Sequence, residues 1–117
     1  MDIKVKRVYD QADSEDGFRI LVDRLWPRGL SKTDAKIDLW LKSVAPSNDL
    51  RRWYNHDPDK WPEFKKRYFS ELAPNEESVK ELLAHLKGGR VSFLYSSKEL
   101  HYNNAVALRD YINSVSE

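Results

Sequence analysis

Cysteine is absent from the 117 residues. That excludes a disulfide scaffold, thiolate metal ligation and a thiol nucleophile together. Also missing is any apolar stretch near the ~20 residues that a membrane span requires. Met1 leads directly into Asp2, Lys4 and Lys6 rather than into the apolar core of a signal peptide. Charge of one sign is lacking too: 20 Lys and Arg against 19 Asp and Glu leave 20 − 19 = +1 with the His neutral. Without a one-sided field, strong non-specific binding to nucleic acid is not expected. No repeat, linker or low-complexity tract interrupts the chain. What is present is an ordinary globular mix, 40% hydrophobic and 33% charged, which excludes a disordered chain. This length fits one domain, residues 1–117, and folding buries roughly 65% of the surface of the unfolded chain. The expectation is a single cytoplasmic domain.

Ile3, Val5 and Val8 alternate, with one slip, with Lys4 and Lys6, which predicts a short strand with one wet face. A polar loop over 11–17 leads into 18–26, the best strand of the first half. Its continuous Ile20-Leu21-Val22 run suits a parallel sheet covered on both faces. Ser31 and Asp34 resemble a capping box for a short helical turn. The stretch 37–44 fits either a strand or a helix. Ser47 is an N-cap for a helix through Trp53. A helix starting at Asp59 keeps Pro62 inside its first turn; Trp61, Phe64, Tyr68 and Leu72 form its apolar face. Asn75 caps the next helix, whose stripe is Val79, Leu82, Leu83 and Leu86. Gly88-Gly89 ends it, residues 90–95 form a strand, and residues 103–115 form a last helix with Ala105, Leu108, Ile112 and Val115 inward. This rhythm predicts an α/β fold: a short, mostly parallel sheet flanked by helices in Rossmann-like layering.

In such folds ligands bind beyond the carboxyl ends of the strands. Two ends stand out, Asp23 to Gly29 and Tyr95 to Lys98 running into Asn103-Asn104. If the two strands are neighbours, one pocket collects Arg24, Arg28, Lys98, Asp23, Ser96, Ser97, Asn103, Asn104 and Trp26. That inventory favours a small phosphorylated or carboxylated anion, or a nucleotide. Guanidinium forks and an ammonium would hold it, Asn103 and Asn104 orient it, and Trp26 wall the site. Taken singly, the same residues also read as an ion pair, a turn and a helix cap. Asp23 is the one candidate general base, and cationic neighbours would depress its pKa.

Other patterns carry less. His56-Asp57-Pro58 reads as a turn and cap. His101 near Ser96 and Ser97 lacks the Gly-x-Ser-x-Gly elbow of a hydrolase. His56, His85 and His101 show no metal-ligand spacing, and nothing in the sequence calls for a cofactor. Trp40, Trp53 and Trp61 suit core or groove-lining positions. Arg51-Arg52 and Lys65-Lys66-Arg67, interleaved with Trp53, Tyr54 and Tyr68, make residues 47–68 an alternative nucleic-acid or protein interaction face. Nearby Glu63, Glu71, Glu76 and Glu77 favour a solvated helix face instead.

The stretch Lys6-Arg7-Val8-Tyr9-Asp10, and above all Val22-Asp23-Arg24-Leu25-Trp26-Pro27-Arg28-Gly29-Leu30, resembles the YeaO-like proteins of the mainly prokaryotic DUF488 family. The likeness continues through Ile37-Asp38-Leu39-Trp40-Leu41, Ala45-Pro46-Ser47, Asn55-His56-Asp57-Pro58 and Asn103-Asn104-Ala105-Val106. It implies a single α/β domain in the bacterial cytoplasm and no particular reaction. Some relatives are labelled transcriptional regulators, but no helix-turn-helix reading head is visible here. Longer relatives carry a Cys after the last strand and a Cys-His-Arg triplet opening the last helix. Here Ser96 or Ser97 and Asn103-Asn104-Ala105 stand in those places, so thiol or metal chemistry does not carry over. The subgroup's His before the paired Asn is replaced by Tyr102, with His101 shifted by one.

Overall fold

Four short parallel strands in the order β1-β4-β2-β3 form the sheet: β1 (Ile3–Arg7), β2 (Phe18–Leu21), β3 (Leu39–Trp40) and β4 (Val91–Tyr95). The structure, a computed structural model, describes residues 1–116. Five helices accompany the sheet: α1 (Lys32–Ala35), α2 (Asn48–Tyr54), α3 (Trp61–Leu72), α4 (Glu76–Leu86) and α5 (Asn104–Val115). The expected α/β class is what the chain adopts. The last strand in sequence is one of the two inner strands of the sheet, and all five of its residues are buried. A strand covered on both faces has no need of alternating polarity, which explains the Val-Ser-Phe-Leu-Tyr sequence of β4.

The two faces of the sheet differ. Ile20, Val22, Val91, Phe93 and Tyr95 pack with Leu50, Phe64, Tyr68, Leu82 and Leu108 of helices α2 to α5 in the main core. On the other face, Val8, Leu21 and Leu94 lie under Trp26, Leu30, Ile37 and Trp40, so a loop rather than a long helix covers them. The period of two continues along that face into Lys4, Lys6, Arg19 and Ser92. There Lys4 and Lys6 reach Asp16 at 3.0 and 3.2 Å, and Arg19 pairs with it as well. The wet side of β1 expected from the sequence is therefore an ionic cluster around a fully buried carboxylate.

Ser47 accepts from Leu50 N at 3.1 Å as the N-cap of α2, and its own N–H and hydroxyl donate to Glu71 at 2.8 and 2.6 Å, which joins α2 to α3. Pro62 occupies the first turn of α3, where no helical bond is lost. Three local expectations change. β2 ends at Leu21 rather than at Trp26. Asn75 makes no side-chain cap; its amide donates instead to Ser43 O at 2.8 Å. Val115 lies in the last turn of α5, exposed, because the stripe runs off the core after Ile112. Among the described residues, no helix is long and apolar enough to cross a membrane.

Candidate functional site

β2 and β4 are neighbours, so the two strand ends singled out in the sequence meet. Val22 N donates to Leu94 O at 3.1 Å. In a parallel ladder the next rung would run from Ser96 N to Val22 O. Side chains replace that rung. Asp23 Oδ2 accepts from Ser96 N at 2.9 Å and from Ser96 Oγ at 2.8 Å. Asn104 Nδ2 donates to Val22 O at 3.1 Å and to Asp23 Oδ1 at 3.0 Å. This splice ends the sheet, opens the strands apart and explains why β2 stops early.

Beyond the splice lies a cavity of about 260 Å³. Asp23, Ser96, Asn103 and Asn104 line its strand-end side; Arg24, Leu25 and Pro46 flank it. The opposite side comes from α2 and the turn after it: Arg51, Arg52, Tyr54, Asn55 and His56, with Phe64 of α3 behind Tyr54 at 4.2 Å between ring centroids. Ser97 meets His56 across the gap, Oγ to Nδ1 at 3.3 Å. Asn55 and His56 both hold left-handed backbone, at φ 46° and 56°. Asn tolerates that conformation as a helix C-cap, whereas for His it is unusual and turns the chain sharply at the cavity rim.

Two arginines brace the walls. Arg24 donates from Nε to Pro46 O at 3.0 Å and from Nη2 to Ala45 O at 3.1 Å. Arg7 donates from Nε to Ser97 O at 2.9 Å and from Nη2 to Ser96 O at 3.1 Å. In the loop beyond β4, Glu99 accepts from the amides of His101 and Tyr102 at 2.7 and 3.1 Å, and those two bonds hold its carboxyl below the usual range. Asn103 caps α5 by accepting from Val106 N at 3.0 Å. Tyr54 donates to Tyr102 O at 2.7 Å, which ties α2 to the same loop. Burial, with lesser help from nearby Glu99 and Asp57, pushes the Tyr54 phenol up to about 12, so it stays neutral.

Of the residues chosen from sequence, Asp23, Arg24, Ser96, Ser97, Asn103 and Asn104 gather at the cavity. Trp26, Arg28 and Lys98 are not among its lining residues. The Trp26 indole donates to Leu30 O at 2.6 Å and packs edge-on against Trp40 on the other face of the sheet. The Arg28 carbonyl accepts from Tyr9 OH at 2.8 Å while its side chain lies in solvent, and Lys98 is exposed. The expected effect of cations on Asp23 reverses: burial raises its pKa, and the bonds from Asn104 and Ser96 offset this only in part. The physical reason is that burial of the carboxyl outweighs its hydrogen bonds, and Arg24 is turned to the Ala45 and Pro46 carbonyls rather than to the carboxylate.

Sequence reasoning assigned Arg51, Arg52 and His56 elsewhere. The signal that finds them is the Ser47 cap together with the Pro58 break, which fixes α2 so short that its last turn lies beside the strand ends. The rest of the 47–68 segment divides. Tyr54, Phe64 and Tyr68 belong to the core, and Trp53 carries Arg67 and Lys60 over its ring at 4.2 and 5.0 Å. Among the described residues, no group of three His, Cys, Asp or Glu side chains is placed to hold a metal ion.

A family profile described as an inactive DUF488-N3 subclade, DUF488-N3i, matches residues 2–117. The chain is 43% identical over 115 residues to the uncharacterized protein YeaO of Escherichia coli K12, covering 98% of this chain and 100% of that one. It is also 50% identical over 70 residues to the uncharacterized protein Rv3073c of Mycobacterium tuberculosis H37Rv, covering 60% of this chain and 59% of that one. No solved structure matches the chain. With the profile spanning nearly every residue and YeaO aligned along its full length, the chain belongs to the YeaO-like DUF488 family, in its DUF488-N3i branch.

Proposed function

We propose that the cavity between the β2 and β4 ends and the last turn of α2 is a binding site for a small phosphorylated or carboxylated molecule. The observation that carries this reading is the charge balance of the lining: Arg24, Arg51 and Arg52 against the single carboxylate of Asp23. That carboxylate is already engaged by Ser96 and Asn104, so it repels an anion less than a bare one would. The positive end of α5 opens beside the same cavity and adds to its attraction for negative charge. Arg51 and Arg52 are exposed. Their helix partners are Asn48 at 3.5 Å and Asp49 at 2.8 Å, contacts of the weak surface kind that a ligand displaces at low cost.

Binding without turnover is the form of this reading that the residues favour. His56 and Ser97 touch, but Asp23 is turned to Ser96 and Asn104 and does not complete a relay with them. The description of the branch as inactive agrees with this. The test is isothermal titration with inorganic phosphate and pyrophosphate. Arg51→Gln with Arg52→Gln is the variant of choice, because both side chains are exposed while Arg24 also holds two carbonyls. Loss of tenfold or more in affinity with unchanged thermal stability is the expected result. Equal affinity in wild type and variant would end the proposal.

A further inference from the structure

Resting on that reading of the cavity, we infer that its ligand is a phosphate monoester carrying a free hydroxyl: an anion at one end, a hydrogen-bond donor at the other. The cavity is not uniformly basic. Its arginines stand on the side of α2 and at Arg24, whereas Asp23 lines the strand-end side. An ionised carboxylate accepts about four hydrogen bonds. Oδ2 takes two from Ser96, and Oδ1 takes one from Asn104, so Oδ1 retains capacity for another donor. A second anionic group is repelled there, and an apolar group leaves that capacity unused. A hydroxyl satisfies it.

The remaining walls suit the carbon skeleton between the two ends. Tyr54 and Phe64, stacked at 4.2 Å, and Leu25 give the cavity apolar surface for C–H groups. A planar guanidinium fork matches the geometry of a phosphate more closely than an ammonium does, and Arg24, Arg51 and Arg52 supply forks. At about 260 Å³ the cavity is at the small end of ligand pockets, the size for a sugar phosphate or the sugar-phosphate part of a nucleotide.

The experiment is titration calorimetry of the full chain with inorganic phosphate, methyl phosphate, ribose, ribose 5-phosphate and adenosine 5′-monophosphate. Ribose 5-phosphate is expected to bind at least tenfold tighter than inorganic phosphate or methyl phosphate, and ribose alone more weakly than any of them. In Asp23→Asn the carboxamide oxygen is held by Ser96 or Asn104, and the preference for the hydroxylated ester falls below threefold, while inorganic phosphate, relieved of the one carboxylate in the lining, binds as tightly as to wild type or tighter. Should that variant fail to fold, the wild-type series decides alone, since methyl phosphate differs from ribose 5-phosphate in lacking the hydroxyls. Tighter binding of the nucleotide than of ribose 5-phosphate identifies a nucleotide as the source of the same chemistry, and the reverse identifies a free sugar phosphate. Phosphate bound with no preference for the hydroxylated ester overturns this inference and leaves the anion site standing. No binding of any phosphate overturns both.

Discussion

Asp16 is fully buried and faces Lys4, Lys6 and Arg19, and its carboxylate also accepts from Asp13 N at 3.0 Å. Burial alone would raise its pKa. The bonds from Lys4, the Asp13 backbone, Lys6 and Arg19 outweigh that and hold it well below the usual carboxylate range. A depressed folded-state value means that its stabilisation is complete above the ordinary value of 3.8 and is lost as pH falls through the folded-state value. Replacing Asp16 by Asn leaves Arg19 buried without its counter-charge, a change that costs about 3–5 kcal/mol. Urea unfolding at neutral pH should show that loss, and the gap to wild type should narrow as pH drops below 3.8. A gap independent of pH would contradict the assignment. Asp23 works in the opposite sense: burial raises its value, so its contribution is greatest below 3.8 and declines as pH rises through the folded-state value.

Two glycines next to Asp16 and Arg28 separate conformation from space. Gly17 has φ +66° and a Cβ there would collide with the Arg90 carbonyl, which accepts from Phe18 N at 3.0 Å. Gly29 has φ +77° with open space around it. Gly29→Ala therefore carries only the backbone penalty, about 1 kcal/mol. Gly17→Ala must also push β4's entry away from β2 and should cost clearly more, readable as a larger drop in Tm. Equal costs would show that the Gly17–Arg90 approach does not matter.

At the scale of elements, Ser47 links the start of α2 to α3 through two hydrogen bonds to Glu71 and caps α2 with a third from Leu50 N. Ser47→Ala removes the cap on Leu50 N and one of the two bonds to Glu71, an expected loss of about 1–2 kcal/mol in denaturant unfolding. A loss under about 0.3 kcal/mol would mean that water replaces the cap at no cost. Ser47 and the Pro58 break were readable because caps and prolines act within one turn of chain. The stripe of α4 was readable for the same reason: Val79, Leu82 and Leu86 are buried at helical spacing, with Leu83 at its edge. The end of β2 was not. Leu25 and Trp26 look like strand residues by type, but Asp23 takes the Ser96 amide, a contact across 73 positions that no local pattern records. Asn75 shows the same effect: an Asn before a helix reads as a cap, and a distant carbonyl on Ser43 claims its side chain.

For the whole molecule, the order β1-β4-β2-β3 decides where chemistry can gather. It places the strand nearest the C-terminus between the first two, so residues 23, 96 and 104 become neighbours. The sequence showed polar residues at both strand ends, and the adjacency of β2 and β4 joins six of them in one cavity. It could not show that Trp26 turns to the other side of the sheet and that Arg28 stays in solvent, because side-chain direction there depends on where β2 breaks off. Nor could it show that Arg51, Arg52 and His56 arrive from α2, since that requires the packing of α2 on α3 and on the loop after β4 through Glu71 and Tyr102.

The central claim is that a small anion binds in this one place. An amide chemical-shift titration of the labelled full chain with inorganic phosphate tests it most directly. The account expects saturable shifts at Asp23 to Leu25, Arg51 to His56, Ser96, Ser97, Asn103 and Asn104, with the Lys4, Lys6 and Arg19 end of the sheet unmoved. Shifts spread over the lysine-rich surface of α3, or none at the strand ends, would contradict it.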